Sequence, residues 1–397
     1  MFKTWNIIDS ALWAHSFGHH YWETKMLADE LVRRGVRTRI LTNKVAPKEG
    51  FSGSEIVPAF EVSLYTNLSD DPTWSTVENF VLHNRSFDRD LGRTDQALFR
   101  NSIALVSTLT ERQLLGLFRW LSRFAPELRP KAAIVLRSPE DWSETNVSAR
   151  FYKTLGTQCP SALKNDIAIF ARTQHGADMF VKHMGLPVHR FPLVLPERGR
   201  QPVRSSENPQ LPSMIVSFVG GARPERGDTL IADVVRQCSA LDVHFFIQAK
   251  GESSTAGPVV SALTSLSGLP KVRVHQGQLE PDSYYDAIAA GVVLLPYYPG
   301  SYRWRSSGVY QDAKFLDAPV LVMAGTWMAD EVKLLGNGLV IEEFSADSIV
   351  QCIERAQRDL PSLRAAAVRV GREFRQQNGV GPCVDAIAAA FAGPAPV

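Results

Sequence analysis

The apolar positions of this chain fall into short runs separated by polar, helix-patterned segments. Thr4 to Ser10 reads as a strand, followed by the polar turn "AHSFGHH". In "YWETKMLADELVRRG" the residues Trp22, Met26 or Leu27, and Leu31 recur at helical spacing, and Gly35 stops the pattern. "VRTRILT" is the next strand. A strand, loop, helix and strand in this order imply a parallel sheet. Residues 50–130 mix polar and apolar positions, with helix-like patterns over Thr94–Leu105 and Leu105–Phe124. "KAAIVLRSP" (131–139) and "DIAIFART" (166–173) read as buried strands, and "QHGADMFVKHMG" as a short helix with its stop.

Between Leu186 and Ser213 six prolines, at 187, 192, 196, 202, 209 and 212, sit among polar residues and mark an interdomain linker. Beyond it the alternation is regular. Strands are predicted at Met214–Val219, Val243–Gln248, Val272–His275, Val292–Pro296, Val320–Met323 and Leu339–Ile341, with helices between them. Three further helices close the chain, the last over Pro382–Phe391. The expected fold is α/β, with two Rossmann-like, doubly wound domains.

Composition narrows the class. A chain of 397 residues suits two domains. With 45% hydrophobic and 21% charged residues it is an ordinary globular protein, and a net charge of +2 gives no basic surface for nucleic acid. The four cysteines, 159, 238, 352 and 383, lack the paired spacing of a zinc or redox centre. The N-terminal stretch is broken by Asn6, Asp9 and Ser10 and does not read as a signal peptide, and no window offers a membrane span. A reduced, cytoplasmic protein is expected, with peripheral contact at the inner face of a membrane left open.

In doubly wound folds ligands sit beyond the carboxyl ends of the strands, where helix N-termini present free N–H groups. Three loops qualify. In "SFVGGARPERGDTLI" (217–231), Gly220 and Gly221 allow a tight turn, and Arg223 and Arg226 can meet phosphate oxygens; a glycine turn with solvated arginines reads equally well locally. In "SYRWRSSGVYQDAK" (301–314), Ser306, Ser307 and Gly308 form a helix start. There the N–H groups of Gly308, Val309 and Tyr310 add to the charge of Arg303 and Arg305. Asp312 lies one turn further on the same face, as a ribose hydroxyl beside a diphosphate would require; favouring the helix dipole is its simpler role. In "SFGHHYWE" (16–23), Gly18 permits close approach, while His19 and His20 offer acid–base groups, of which at most one faces a site and either can be structural. "DRD" (88–90) is a solvated charge cluster rather than a metal site. The loop 136–146 offers Arg137, Glu140, Asp141 and Glu144 as acceptor-side groups. No HExxH, GxSxG or P-loop pattern occurs.

These loops resemble those of GT-B glycosyltransferases, most nearly the group-1, family-4-like enzymes. "GHHYWETKMLADELVRRGVRTRILT", "FVGGARPERGDTLI" and "PYYPGSYRWRSSGVYQDAKFLDAPVLV" match three ordered family segments in outline, over roughly 16–42 and 166–342. The family's second-domain arginine is Gly221 here, Arg226 stands at its lysine, and the first of its paired acids, a donor-sugar contact, falls at Trp304 or Arg305. The second acid corresponds to Asp312.

The resemblance implies two domains facing a cleft, 1–195 on the acceptor side and 196–378 binding the nucleotide sugar, with 379–397 crossing back as a final helix. It implies a hexosyltransferase-like enzyme of polysaccharide or glycolipid assembly, retaining and independent of metal. The donor would be a UDP- or GDP-sugar and the acceptor a glycan or glycolipid, with no other cofactor. Its donor site would comprise Gly18, Gly220, Gly221, Arg223, Arg226, Arg305, Ser306, Ser307, Gly308, Val309 and Asp312. Its catalytic groups would be His19 or His20, together with Arg226. A catalytically idle nucleotide- or glycan-binding protein, and a nucleotide-sugar epimerase of the same fold, remain alternatives.

Overall fold

The computed structural model describes residues 2–12, 19–46, 49–71, 73–139, 141–195, 214–251 and 257–392. Contacts divide the chain into two units, Met1–Glu197 with Asn378–Val397, and Arg198–Gln377.

The first unit runs β1 (Thr4–Asp9), α1 (His19–Arg33), β2 (Arg37–Asn43), β3 (Ser54–Phe60), α2 (Ser75–Gly92), β4 (Ser102–Leu109), α3 (Glu111–Leu121), β5 (Lys131–Leu136), α4 (Val147–Thr157), β6 (Ile167–Ala171), α5 (Gln174–Met184) and β7 (Val188–Arg190). Its seven strands lie in the order β3-β2-β1-β4-β5-β6-β7, all parallel. The strand order reverses between β1 and β4, which opens a crevice at their carboxyl ends.

The second unit runs β8 (Ile215–Phe218), α6 (Asp228–Gln237), β9 (His244–Ala249), α7 (Gly257–Thr264), β10 (Val272–Gln276), α8 (Pro281–Ala289), β11 (Val292–Leu295), α9 (Pro299–Tyr302), α10 (Gly308–Phe315), β12 (Val320–Met323), α11 (Trp327–Leu335), β13 (Gly338–Ile341) and α12 (Ala346–Gln377). Its six parallel strands take the order β10-β9-β8-β11-β12-β13, so the equivalent crevice lies between β8 and β11. The runs VVLL and VLVM of β11 and β12 are buried throughout, as strands covered on both faces must be. The doubly wound α/β expectation therefore holds in both units.

The final helix, α13 (Val380–Phe391), belongs to the first unit. Its Val380, Cys383, Val384 and Ile387 enter the core formed by Trp5, Ile7, Leu27, Leu31 and Ile103. Asn378 fixes the point of entry, its Oδ1 accepting from Leu193 N at 2.9 Å and from Arg190 Nη2 at 2.7 Å.

Three expectations need correction. The helix-like patterns over 94–124 contain β4: "SIALVSTL" is almost wholly buried, and a short apolar run looks alike in a buried strand and a buried helix. After β13 there are two helices rather than three, because the 32-residue α12 continues through Pro361. The predicted linker begins too early, since β7 pairs with β6; residues 196–213 lie outside the described residues. No helix among the described residues is long and apolar enough to cross a membrane.

Candidate active site

Two loops of the second unit meet at its crevice. After β8 the chain turns at Gly220, whose φ of +108° suits glycine, and its N–H donates to Oε1 of Gln248 at 2.9 Å. The buried Gln248 amide in turn donates to Gly277 O at 2.9 Å, tying the ends of β8, β9 and β10 together. Gly227, with φ +78°, lies against the Pro296 backbone and hands the chain to α6. Between these glycines Arg226 folds back, with Nη1 donating to Gly221 O at 2.8 Å and Nη2 to Tyr297 Oη at 2.6 Å.

From the other side comes the loop after β11. Arg226 lies 5.0 Å from the Tyr297 ring centre, the Tyr297 and Tyr302 rings are 4.3 Å apart, and Arg305 lies 5.5 Å from the Tyr302 ring. The result is a continuous stack, Arg226–Tyr297–Tyr302–Arg305, across both loops. Arg305 also pairs with Glu225 at 3.4 Å, and Tyr298 N donates to Glu225 O at 2.8 Å. Burial and Tyr297 raise the Tyr302 pKa, while the charges of Arg226, Arg305 and Arg223 oppose that rise. Burial works against the charge on Arg226, yet the oxygens of Tyr297 and Tyr302 outweigh it and hold the guanidinium firmly protonated. Asp228 is the counterweight. It is buried, accepts from Arg223 N at 3.0 Å, and burial pushes its pKa up to about 6.

The helix start is built as its sequence predicts, except that the Tyr310 N–H, expected to face a ligand, is taken by the cap. Ser307 caps α10, its Oγ accepting from Tyr310 N at 3.2 Å, and Trp327 Nε1 holds the preceding Arg305 carbonyl at 2.8 Å. The leading N–H groups of Gly308 and Val309 lack an intrahelical acceptor, as at any helix start, and the space where a Gly308 side chain would stand is open. Asp312 lies one turn in, where Tyr284 Oη donates to its Oδ2 at 2.8 Å. Burial, then the Asp312 charge, keeps the Tyr284 phenol protonated. The unit thus offers guanidinium groups, helix N–H groups and a carboxylate within two facing loops, the chemistry that a ribose diphosphate needs.

The first unit carries a second polar cluster at the end of β1. Asp9 Oδ1 accepts from Ala11 N at 2.9 Å, and Oδ2 from His20 Nδ1 at 2.8 Å. The other ring nitrogen of His20 meets Tyr65 Oη at 2.8 Å, and Arg137 Nη1 donates to the same oxygen at 3.1 Å. Burial opposes protonation of His20, but the charge of Asp9 and its hydrogen bond prevail, with Glu23 adding to them, so the pKa is raised. Glu23 is itself bound by Arg172 at 2.5 Å.

No protein-family model and no curated protein matches the chain. Solved structures do. Sucrose-phosphate synthase from Thermosynechococcus elongatus superposes with a TM-score of 0.67 at 14% identity, covering 98% of each chain. A glycosyltransferase from Rickettsia africae gives 0.62 at 11% identity, over 98% of this chain and 100% of its own. Anabaena HepE, in complex with UDP and glucose, gives 0.60 at 11% identity, over 99% and 100%. The fold is GT-B.

Within this GT-B chain the structure gathers Gly220, Gly221, Arg223, Arg226, Arg305, Ser307, Gly308, Val309 and Asp312 at one end of the second sheet; Ser306 is exposed in the same loop. Arg226, expected at the phosphates, commits two N–H groups within the protein and ties Gly221 to Tyr297. Gly18 and the side chain of His19 lie outside the described residues, and His20 is the histidine engaged. The aromatic run "YYPGSYRW" flagged Tyr297 and Tyr302 as able to stack a sugar or base, but sequence reading missed Tyr284, Gln248 and Glu225 in one cluster, and Asp9 and Tyr65 in the other. Asp9 alone had a usable signal, a carboxylate ending the first apolar run. In "DRD", Asp88 pairs with Arg123 and Asp90 with Arg89, and no group of three or more His, Cys, Asp or Glu among the described residues is placed to hold a metal.

Proposed function

We propose that this protein is a glycosyltransferase that moves a sugar, a hexose in the simplest reading, from a nucleotide-diphosphate sugar to a glycan or glycolipid acceptor. The observation that carries this reading is the second-unit crevice. There the Arg226–Tyr297–Tyr302–Arg305 stack locks two loops together beside an open helix start and Asp312. Similarity to HepE, whose structure holds UDP and glucose, supports it.

In this reading Arg223, Arg305 and the N–H groups of Gly308 and Val309 bind the diphosphate, while Asp312, oriented by Tyr284, accepts from the ribose hydroxyls. As the bond from the sugar to the diphosphate breaks, the electron pair departs onto a phosphate oxygen. These preorganised groups stabilise that charge, so no metal is needed for it. The acceptor hydroxyl forms the new glycosidic bond and its proton passes to the departing phosphate oxygen, with the first unit supplying the Asp9–His20 cluster on the acceptor side. Retention of the anomeric configuration follows from the family resemblance.

The test is a thermal-shift panel of nucleoside diphosphates, followed by assay of donor consumption with UDP- and GDP-sugars, since tight ligands raise stability by mass action. No shift with any nucleoside diphosphate would sink the reading. One observation favours a second reading, an idle nucleotide-binding protein: Arg305 stands where a donor-sugar acid is expected and is held by Glu225. Binding without transfer or hydrolysis on any donor would select it.

A further inference from the structure

Counting hydrogens around Tyr65 decides which group of the first unit meets a ligand. A guanidinium can only donate, so Arg137 Nη1 donates to Tyr65 Oη. The Asp9 carboxylate accepts, so His20 Nδ1 carries a hydrogen. Both ring nitrogens of His20 are therefore engaged within the protein, one by Asp9 and one by Tyr65. Tyr65 is 52% exposed, against 11% for the His20 side chain and 2% for that of Asp9.

What its hydrogen does depends on His20. When the imidazole is neutral, Nε2 has a lone pair and the phenolic hydrogen points inward to it. When the imidazole is charged, Nε2–H donates outward. Tyr65 Oη then accepts from both His20 and Arg137, and its own hydrogen must leave the cluster. We propose that Tyr65 is the acceptor-contacting residue of the first unit, donating its hydroxyl hydrogen to an oxygen of the acceptor when His20 is charged and withdrawing it when His20 is neutral. This rests on the transferase reading above. His20 and Asp9 are then positioning residues acting through Tyr65.

The supports of the chain are fixed by four elements. Asp9 ends β1 and is braced by Ala11 N at 2.9 Å and Thr24 Oγ1 at 3.4 Å. His20 is the second residue of α1, Tyr65 follows β3, and Arg137 follows β5 with its carbonyl held by Tyr152 Oη at 2.7 Å. The charges that act on His20 are Asp9, Glu23 from α1 and Arg172 from the end of β6; Arg137 reaches it through the phenol. Asp9 and Glu23 favour the imidazolium and Arg172 opposes it, with the balance toward charge.

The experiment uses the full chain with UDP-glucose and GDP-mannose as donors and a panel of neutral oligosaccharides and lipid-linked sugars as acceptors. In the parent, acceptor KM should rise about fivefold as pH increases through the titration of His20, the scale of one hydrogen bond. Tyr65→Phe should show that raised KM already at low pH, with a flat profile, and the effect should fall on acceptor KM rather than on kcat or donor KM. A Tyr65→Phe variant that keeps the parent KM and its pH dependence overturns the proposal. Absence of product from every acceptor, with nucleoside diphosphate still bound, defeats the transferase reading instead. The hydrogen-bond chain is then judged by the nitrogen-15 shifts of His20 above its titration: a changed Nε2 shift in Tyr65→Phe, where the lone pair loses the phenolic hydrogen, supports it, and an unchanged Nε2 shift overturns it.

Discussion

The guanidinium of Arg226 occupies the space that a side chain at Gly220 would need. A Cβ built on Gly220 would stand 2.8 Å from Arg226 Cζ, nearer than such carbons approach in folded proteins. The positive φ adds a second penalty, so the glycine is required twice over. Gly220→Ala is expected to cost about 1–3 kcal/mol of stability and to displace Arg226 from Tyr297. Arg226→Ala should cost a similar ~1–3 kcal/mol, because Gly221 O and Tyr297 Oη lose a charged donor. Urea unfolding of both variants checks the stability, and calorimetry with UDP and GDP checks the expected joint loss of binding.

In the proposed donor site Glu225 would compete with the nucleotide for Arg305. The pair is 3.4 Å long with both side chains 29% exposed, so its own worth is screened to about 0.2–1 kcal/mol. Glu225→Gln should therefore barely change the melting temperature, yet tighten nucleoside-diphosphate binding about threefold, the scale of one such pair. The gain should fade in high salt. Isothermal titration at two ionic strengths reads both effects.

Asp312 and Ser307 separate recognition from helix stability. Asp312→Ala is expected to weaken nucleoside-diphosphate binding by ~1–3 kcal/mol, the loss of a charged acceptor. The corresponding deoxyribose diphosphate should lose less, since part of the lost contact is to the ribose. Ser307→Ala removes the cap on Tyr310 N and should cost about 1 kcal/mol of stability whether or not ligand is present. Comparing melts with and without nucleotide tells the two roles apart.

Asp228 gives stability a pH dependence of unusual sign for a carboxylate. Burial raises its pKa to about 6, although the Arg223 amide and the Arg226 charge pull the other way. Between about pH 4 and 6 the folded chain keeps a proton that the unfolded chain has lost, given a free carboxyl near 3.9. This group's contribution is fullest below that window and falls by roughly 3 kcal/mol as pH rises through it. Asp228→Asn should remove that slope, which denaturant midpoints at pH 4.5 and 7 would show.

The second unit was legible because its strands are short and evenly spaced, and in β11 and β12 wholly apolar. The first unit hid three strands, β7 among the prolines read as linker. In β3, Pro58 and a half-exposed pattern mark an edge strand, and nothing alternates cleanly there. In β4, burial on both faces erased the period that distinguishes strand from helix. The same division runs through the sites. Gly220, Ser307 and Gly308 serve through local backbone geometry, which neighbouring residues reveal. Tyr65 meets His20 across 45 positions and Tyr297 meets Arg226 across 71, and no local pattern announces either pairing.

The seating of α13 in the first unit's core bears on how the chain is made. The residues Met1–Glu197 reach the ribosome exit first, but their core still lacks Val380, Cys383, Val384 and Ile387. Domains usually mature in the order of synthesis. Here the contiguous second unit can complete its packing while the first waits with an unfilled apolar surface for Val380–Phe391 to be translated. Of the two units, the one that emerges before the other is thus the one that finishes after it.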